Sequence, residues 1–214
     1  MSFRPPNEPI SELTTGRLSV YLRCLTFLES QHVETVSSHA LAARFHLNSS
    51  QIRKDLACFG EFGTRGVGYN VSRLKQALIH TLGIDRTRRV LIVGAGNLGM
   101  ALADYRGFNA NGFHIVALID LDPEKIGRSS RSGIPVLPAS ELPRVVGSHA
   151  VEIGIIAVPS EQAQEVCDSL VAAGVRAVLN FAPVQIRVAP GVKLKGVDLR
   201  VNLESLSFHL KNAE

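Results

Sequence analysis

"VLIVGAGNLGMALADY", residues 90–105, decides the fold of the larger part of this chain. The short apolar run "RRVLIV" (88–93) leads straight into Gly94-Ala95-Gly96-Asn97-Leu98-Gly99, and "MALADY" continues as a helix-forming stretch. A β-branched run of that length, bounded by glycine, reads as a strand buried on both faces of a parallel sheet. A lone G-x-G-x-x-G is weak evidence. Here a strand precedes it, a helix follows it, and a second apolar run, "HIVALID", ends on Asp120, 21 residues after Gly99. That combination is a dinucleotide-binding fingerprint.

Each position carries a physical reason. Gly94 makes the strand-to-helix turn, Gly96 lets the backbone approach a pyrophosphate, and Gly99 allows close helix–strand packing. The N–H groups of Asn97, Leu98 and Gly99 face the phosphates where the helix dipole favours negative charge. Asp120 accepts hydrogen bonds from the adenosine ribose and would repel a 2′-phosphate, which favours NAD(H) over NADP(H). Asp122, already in the loop "DLDPEKIG", is the weaker candidate. Downstream, "VEIGIIAVP" (151–159), "SEQAQEVCDSLVAAG" and "RAVLNFAP" (176–183) alternate strand and helix, so residues 86–200 read as a doubly wound α/β Rossmann domain. Pro159 lies at the C-terminal end of a strand, the usual ligand side of such sheets, and joins the cofactor-binding set.

Upstream lies a second glycine-rich loop, "GEFGTRGVGYNV" (60–71). It lacks the Gly-Lys-Ser/Thr of a phosphate-binding P-loop. Its closely spaced glycines suit a tight hairpin, with Arg65 near the tip and Tyr69 and Val71 alternating behind it as in a strand. Before it, Leu18, Tyr21, Leu22, Leu25 and Leu28 in "RLSVYLRCLTFLES" (17–30) recur at helical spacing. "SSHALAARF" follows, with Ser37 or Ser38 as N-cap. Asn48 caps the next helix, "SSQIRKDLACF", with Gln51 placed to complete a capping-box-like pair. Two short helices and a tight turn describe a helix-turn-helix. On the second helix Ile52, Leu56 and Phe59 point inward. Ser50, Lys54 and Ala57 point outward, flanked by Gln51 and Arg53, where a recognition helix meets the major groove. "VSRLKQALIHTLG" closes the unit with Leu74, Ala77, Leu78 and Leu82 inward. Residues 1–85 therefore read as a winged helix-turn-helix domain, with Ser50, Gln51, Arg53, Lys54 and Arg65 as its DNA-binding side chains.

Charge is compatible with the same reading. The 214 residues carry a formal net charge of +4. Arg44, Arg53, Lys54, Arg65, Arg73 and Lys75, against Asp55 and Glu61, place that whole excess between residues 44 and 75. Mild basicity concentrated in one segment is by itself a weak hint of a polyanion partner, and charge alone fits a solvated face better. No run reaches the length of a membrane helix, and "MSFRPPNEPISELTTGR" lacks a secretory apolar stretch, so a cytoplasmic protein is expected. Cys24, Cys58 and Cys167 are too far apart for a disulfide framework or metal site, and buried, reduced thiols are expected. Residues 201–214 read as an amphipathic helix with Leu203, Leu206 and Leu210 at three- and four-residue spacing, which requires a partner surface. No proton-relay pair or metal cluster stands out, and the histidines, such as His114 and His149, fall at strand or loop edges, so an enzyme is not expected.

The order helix-turn-helix, "QIRKDLACFGEFGTRGVGYNV", "GAGNLGMALADY", "DLDPEKIG" and "LNFAPV" resembles the Rex family of bacterial redox-sensing transcriptional repressors, from about Leu18 to Phe208. The resemblance implies a homodimer that binds a palindromic operator when NADH is scarce and releases it when NADH binds, with the C-terminal helix swapped between subunits. It also implies that Tyr105 and Asp198 lie near the nicotinamide. Arg23, in "YLR", would act as the switch residue between winged helix and cofactor domain. Arg106 after Tyr105, and a longer polar N-terminus, depart from some relatives without touching a motif. An NAD-dependent oxidoreductase with a small helical dimerisation domain is the alternative. A CoA-ligase-like nucleotide-binding module is a third reading, against which the helix-turn-helix and the position of Asp120 argue.

Overall fold

The computed structural model describes residues 10–211; the polar N-terminal segment, residues 1–9, lies outside the described residues. The chain divides into two compact units, Met1–Arg86 and Thr87–Glu214.

In the first unit, α1 (Glu12–Ser30) buries Leu18, Tyr21, Cys24, Leu25 and Leu28 along one face, with Leu22 half-buried beside them. A two-residue strand, β1 (Thr35–Val36), precedes α2 (Ser38–Phe45). Ser37 caps α2, its Oγ accepting from the Ala40 N–H at 3.0 Å. Asn48 caps α3 (Ser49–Ala57), its Oδ1 accepting from the Gln51 N–H at 3.0 Å. The reciprocal half of the expected capping box does not form. Gln51 turns its side chain to the Asp55 carboxylate instead, because a hydrogen bond to an ionised acceptor is the stronger one. The glycine-rich hairpin consists of β2 (Gly63–Thr64) and β3 (Gly68–Asn70), followed by α4 (Val71–Thr81). Gly66, at φ +81°, turns the tip. The strands form an antiparallel sheet in the order β1-β3-β2. Val71 is not a strand residue: the Asn70 side chain accepts from the Arg73 N–H at 2.9 Å, and that cap starts α4 at Val71. Ile52, Leu56, Phe59, Leu74 and Leu78 close the core of this unit; Ala77 and Leu82 are half-buried.

The second unit runs β4 (Arg88–Val93), α5 (Asn97–Ala103), α6 (Arg106–Ala110), β5 (Phe113–Asp120), β6 (Val136–Pro138), α7 (Leu142–His149), β7 (Ile153–Ile156), α8 (Ser160–Ala172), β8 (Ala177–Asn180), β9 (Lys193–Gly196) and α9 (Leu199–Lys211). Its six strands are all parallel, in the order β6-β5-β4-β7-β8-β9. Counted from β4, that is the 3-2-1-4-5-6 order of a dinucleotide-binding sheet, with its switch point where β4 separates β5 from β7. Alternate strand residues feed two apolar layers. Leu91, Val93, Ile119 and Ile156 pack with α7 and α8 on one face, and Ile92, Leu118 and Ile155 pack on the other. Each such side chain contributes roughly 1.5–3 kcal/mol on burial.

"MALADY" is not one helix. α5 ends at Ala103, and Tyr105 has extended backbone (φ −72°, ψ 102°) before α6 begins. The reason is Asp104, whose carboxylate accepts from the backbone N–H groups of Ser132 at 2.7 Å and Arg131 at 3.3 Å, pulling the chain out of helix. His149 is the last residue of α7, at the edge of the loop that leads to β7. Cys24 and Cys167 are buried, but Cys58, just past α3, is exposed. The apolar side chains of α9, Leu199, Val201, Leu203, Leu206, Phe208 and Leu210, are all exposed.

Candidate functional site

In the second unit, Gly94 follows β4 at φ +105°, a conformation that favours glycine. A Cβ there would lie 2.4 Å from the Ala157 carbonyl oxygen. At Gly99 a Cβ would lie 1.8 Å from the Gly94 carbonyl oxygen, so helix α5 sits this close to the loop only because residue 99 has no side chain. At Gly96 a Cβ would meet nothing within 4 Å. The loop is therefore closed behind by two glycines and open in front at the third, which suits a cradle for a pyrophosphate. Gly94, Gly96, Asp120 and Pro159 line one cavity of about 630 Å³ together with Lys125 and Gln162. Ala95 and Gly99 are buried behind it; Asn97 and Leu98 are exposed at the start of α5.

Asp120 is tied to the glycine loop. Its Oδ2 accepts from the Ala95 N–H at 2.7 Å and its Oδ1 from the Asp122 N–H at 2.9 Å, while Lys125 Nζ stands 3.3 Å away. Burial opposes the charged form, and these donors more than offset it, holding the carboxyl below its ordinary pKa. A carboxylate has about four acceptor positions, so capacity for ribose hydroxyls remains. Lys125 was not legible as a site residue, although its place five residues after Asp120, in "DLDPEKIG", was the available signal. Tyr105 and Asp198 are exposed and outside the cavity. Asp198 stands just before α9, its Oδ1 accepting from the Arg200 N–H at 2.9 Å. Arg23 is exposed on α1, in the other unit.

In the first unit the outer face of α3 is ordered. Arg53 donates to the Ser38 hydroxyl at 3.0 Å and the Ser50 hydroxyl at 3.1 Å, bridging both helices of the helix-turn-helix. Arg53 and Arg65 line one groove of about 690 Å³ between α3 and the hairpin, with Ser37 and Ser38. Lys54 is exposed on the same helix. Asp55 does not neutralise these cations. It is 2% exposed and accepts from Arg17 Nε at 2.6 Å, Arg17 Nη2 at 2.8 Å, Tyr21 Oη at 2.8 Å and Gln51 Nε2 at 2.8 Å. Burial works against its charge, and the bonds from Arg17, Gln51 and Tyr21 outweigh burial, so its pKa lies below the ordinary carboxylate value. The same carboxylate raises the pKa of Arg17, and burial followed by that bond raises the pKa of Tyr21. Two of the basic residues counted in the charged segment are also engaged: Lys75 pairs with Glu29, and Arg44 stacks over Phe27 at 5.1 Å.

Among the described residues, no helix is long and apolar enough to cross a membrane, and no group of three or more His, Cys, Asp or Glu side chains is arranged to hold a metal. Comparison with known proteins finds two family models that match separate parts of the chain. A family model described as "Putative DNA-binding protein N-terminus" matches residues 9–57, and one described as "CoA binding domain" matches residues 85–184. The redox-sensing transcriptional repressor Rex of Desulfitobacterium hafniense is 49% identical over 201 residues, covering 94% of this chain and 95% of that one. This chain belongs to the Rex family. Rex of Carboxydothermus hydrogenoformans is 50% identical over 202 residues, covering 94% and 97%. The Rex-family repressor RSP, solved in complex with NAD⁺ and operator DNA, superposes with a TM-score of 0.91 at 35% identity, covering 97% of this chain and 95% of that one. RSP in complex with NADH gives 0.86 at 34% identity, covering 97% of each. Whole-chain kinship to Rex repressors outranks the coenzyme A label of the shorter match, which spans the nucleotide-binding fold alone.

Proposed function

We propose that this chain is a redox-sensing repressor that binds palindromic operator DNA as a homodimer and lets go when NADH binds. The observation that carries the proposal is the presence, in one chain, of a basic recognition helix with an arginine-tipped wing and of a glycine cradle closed by Asp120. The complexes of RSP with NAD⁺ and operator DNA, and with NADH, support it. The names of the Rex relatives favour it over the oxidoreductase alternative.

In this reading residues Gly94 to Gly99 hold the pyrophosphate, Asp120 the adenosine ribose, and Pro159 the wall opposite. Tyr105 and Asp198 serve the nicotinamide end. When bound, the cofactor supplies a ring that is positively charged as NAD⁺ and neutral as NADH. A switch requires that the DNA-free arrangement bind NADH more tightly than the DNA-bound one. Asp198 and Arg23 are the charged groups assigned to sense the ring, their pairing changing as the dimer closes. Ser50, Gln51, Arg53, Lys54 and Arg65 face the operator. The exposed apolar face of α9 is assigned to a second copy of the chain. A cytoplasmic location follows from operator binding.

The test is fluorescence anisotropy of a labelled duplex, selected for binding from a random pool, during NADH titration in excess NAD⁺. Release by NADH, with NAD⁺ and NADPH ineffective, is the expected result. A complex indifferent to NADH would remove the redox switch from the proposal.

A further inference from the structure

We propose that Gln51 determines operator specificity as a hydrogen-bond acceptor, its amide oxygen held away from Asp55 to read the exocyclic amino group of an adenine or cytosine in the major groove. This rests on the DNA-binding reading above and deepens it.

The argument begins with what each atom can do. The Asp55 carboxylate is acceptor-only, and its two oxygens already receive Arg17 and Tyr21. Gln51 Nε2 donates to Asp55 Oδ1 at 2.8 Å, one helical turn away. Turning the amide over would set its oxygen against a buried carboxylate, an acceptor facing an acceptor with no proton between them. The flip of a glutamine amide has to be inferred from its partners, and here an ionised partner leaves one answer. Gln51 Oε1 makes no hydrogen bond within the chain among the described residues, and the residue is half-buried at the N-terminal turn of α3. That turn is where a recognition helix meets base edges.

The neighbouring charged groups are donors: Arg53, Lys54 and the wing's Arg65. They suit phosphates and the guanine O6 and N7 acceptors. A fixed carbonyl oxygen among them selects the opposite chemistry. In the major groove, adenine N6 and cytosine N4 donate, whereas guanine and thymine offer acceptors at the equivalent edge. Asp55 thus acts as a positioning residue for Gln51, and Arg17 and Tyr21 hold Asp55.

The experiment sequences duplexes captured from a random pool by the full chain and by Gln51→Met and Gln51→Ala, with NADH affinity measured for each. Wild type is expected to confine one position in each half-site to adenine or cytosine on one strand. Thymine or guanine there should weaken binding about tenfold. Removing the amino group alone, with purine for adenine or pyrimidin-2-one for cytosine, should cost the same and tells the two bases apart. Both variants should accept all four bases at that position while binding NADH as wild type does. An unchanged base preference in both variants would overturn the proposal. Capture of no duplex by wild type would overturn the DNA-binding reading and this inference with it.

Discussion

Replacing Arg17 with methionine separates the charge of the Asp55 network from its packing. Methionine keeps the apolar stem of the side chain and removes two of the four hydrogen bonds on Asp55 together with its ion-pair partner. The carboxylate, 3% exposed in wild type, then holds its negative charge on two neutral donors. Breaking a buried pair from one side costs about 3–5 kcal/mol. The Arg17 side chain is 35% exposed, so water already screens part of the attraction, and about 2–3 kcal/mol is the better figure here. The readout is hydrogen exchange of the full chain. Peptides from α1 and α3 should exchange roughly 30- to 150-fold faster in Arg17→Met, while peptides from β4 to β8 keep their wild-type rates. Adding Asp55→Asn removes the stranded charge and leaves an acceptor for Tyr21. The double variant should therefore recover to within about 1 kcal/mol of wild type. If it is as unstable as Arg17→Met, the cost is packing, and the electrostatic reasoning fails.

Acid should act on the same network. The Asp55 pKa is depressed in the folded state, so its stabilisation is fully present above the ordinary carboxylate value of about 3.9 and is lost as pH falls below it. Exchange protection of α1 and α3 measured from pH 6 to pH 3 should fall more steeply in wild type than in Asp55→Asn. Glycine positions separate folding from binding. Gly99→Ala should lower Tm and abolish NADH binding, because its Cβ meets the Gly94 carbonyl, whereas Gly96→Ala should leave Tm unchanged and weaken NADH roughly tenfold by calorimetry. Lys54→Ala should weaken operator binding across sequences, reduce the salt slope by about one, and leave NADH affinity intact. Asp198→Ala should lose discrimination between NADH and NAD⁺, and unchanged discrimination together with unchanged DNA release would remove Asp198 from the switch.

Much of the molecule is legible from local pattern. Strand, glycines, helix and Asp120 lie within 33 residues, and Gly99 is required by a contact inside that segment, so the cradle is legible locally, although the close approach of Ala157 to Gly94 comes from outside it. The helices before the hairpin follow from apolar spacing and from Ser37 and Asn48, each of which caps a helix through a bond to the residue three positions on. The exposed face of α9 is likewise written in the leucine spacing.

Tertiary structure decided what depends on distant partners. β1 has two residues and no periodicity; it is a strand only because β3, more than thirty residues later, pairs with it. Asp55 reads as a counter-charge for Arg53 and Lys54, its chain neighbours, yet the fold gives it to Arg17, 38 residues earlier. The break in "MALADY" is set by Ser132 and Arg131, and the orientation of the Gln51 amide is set by the Asp55 carboxylate, whose burial depends on distant elements. Local sequence determines which backbone segments can form, because caps and side-chain periodicity act within a few residues. The partner of a buried charge is chosen by the packing of whole elements, because such a charge is stable only where several donors converge on it.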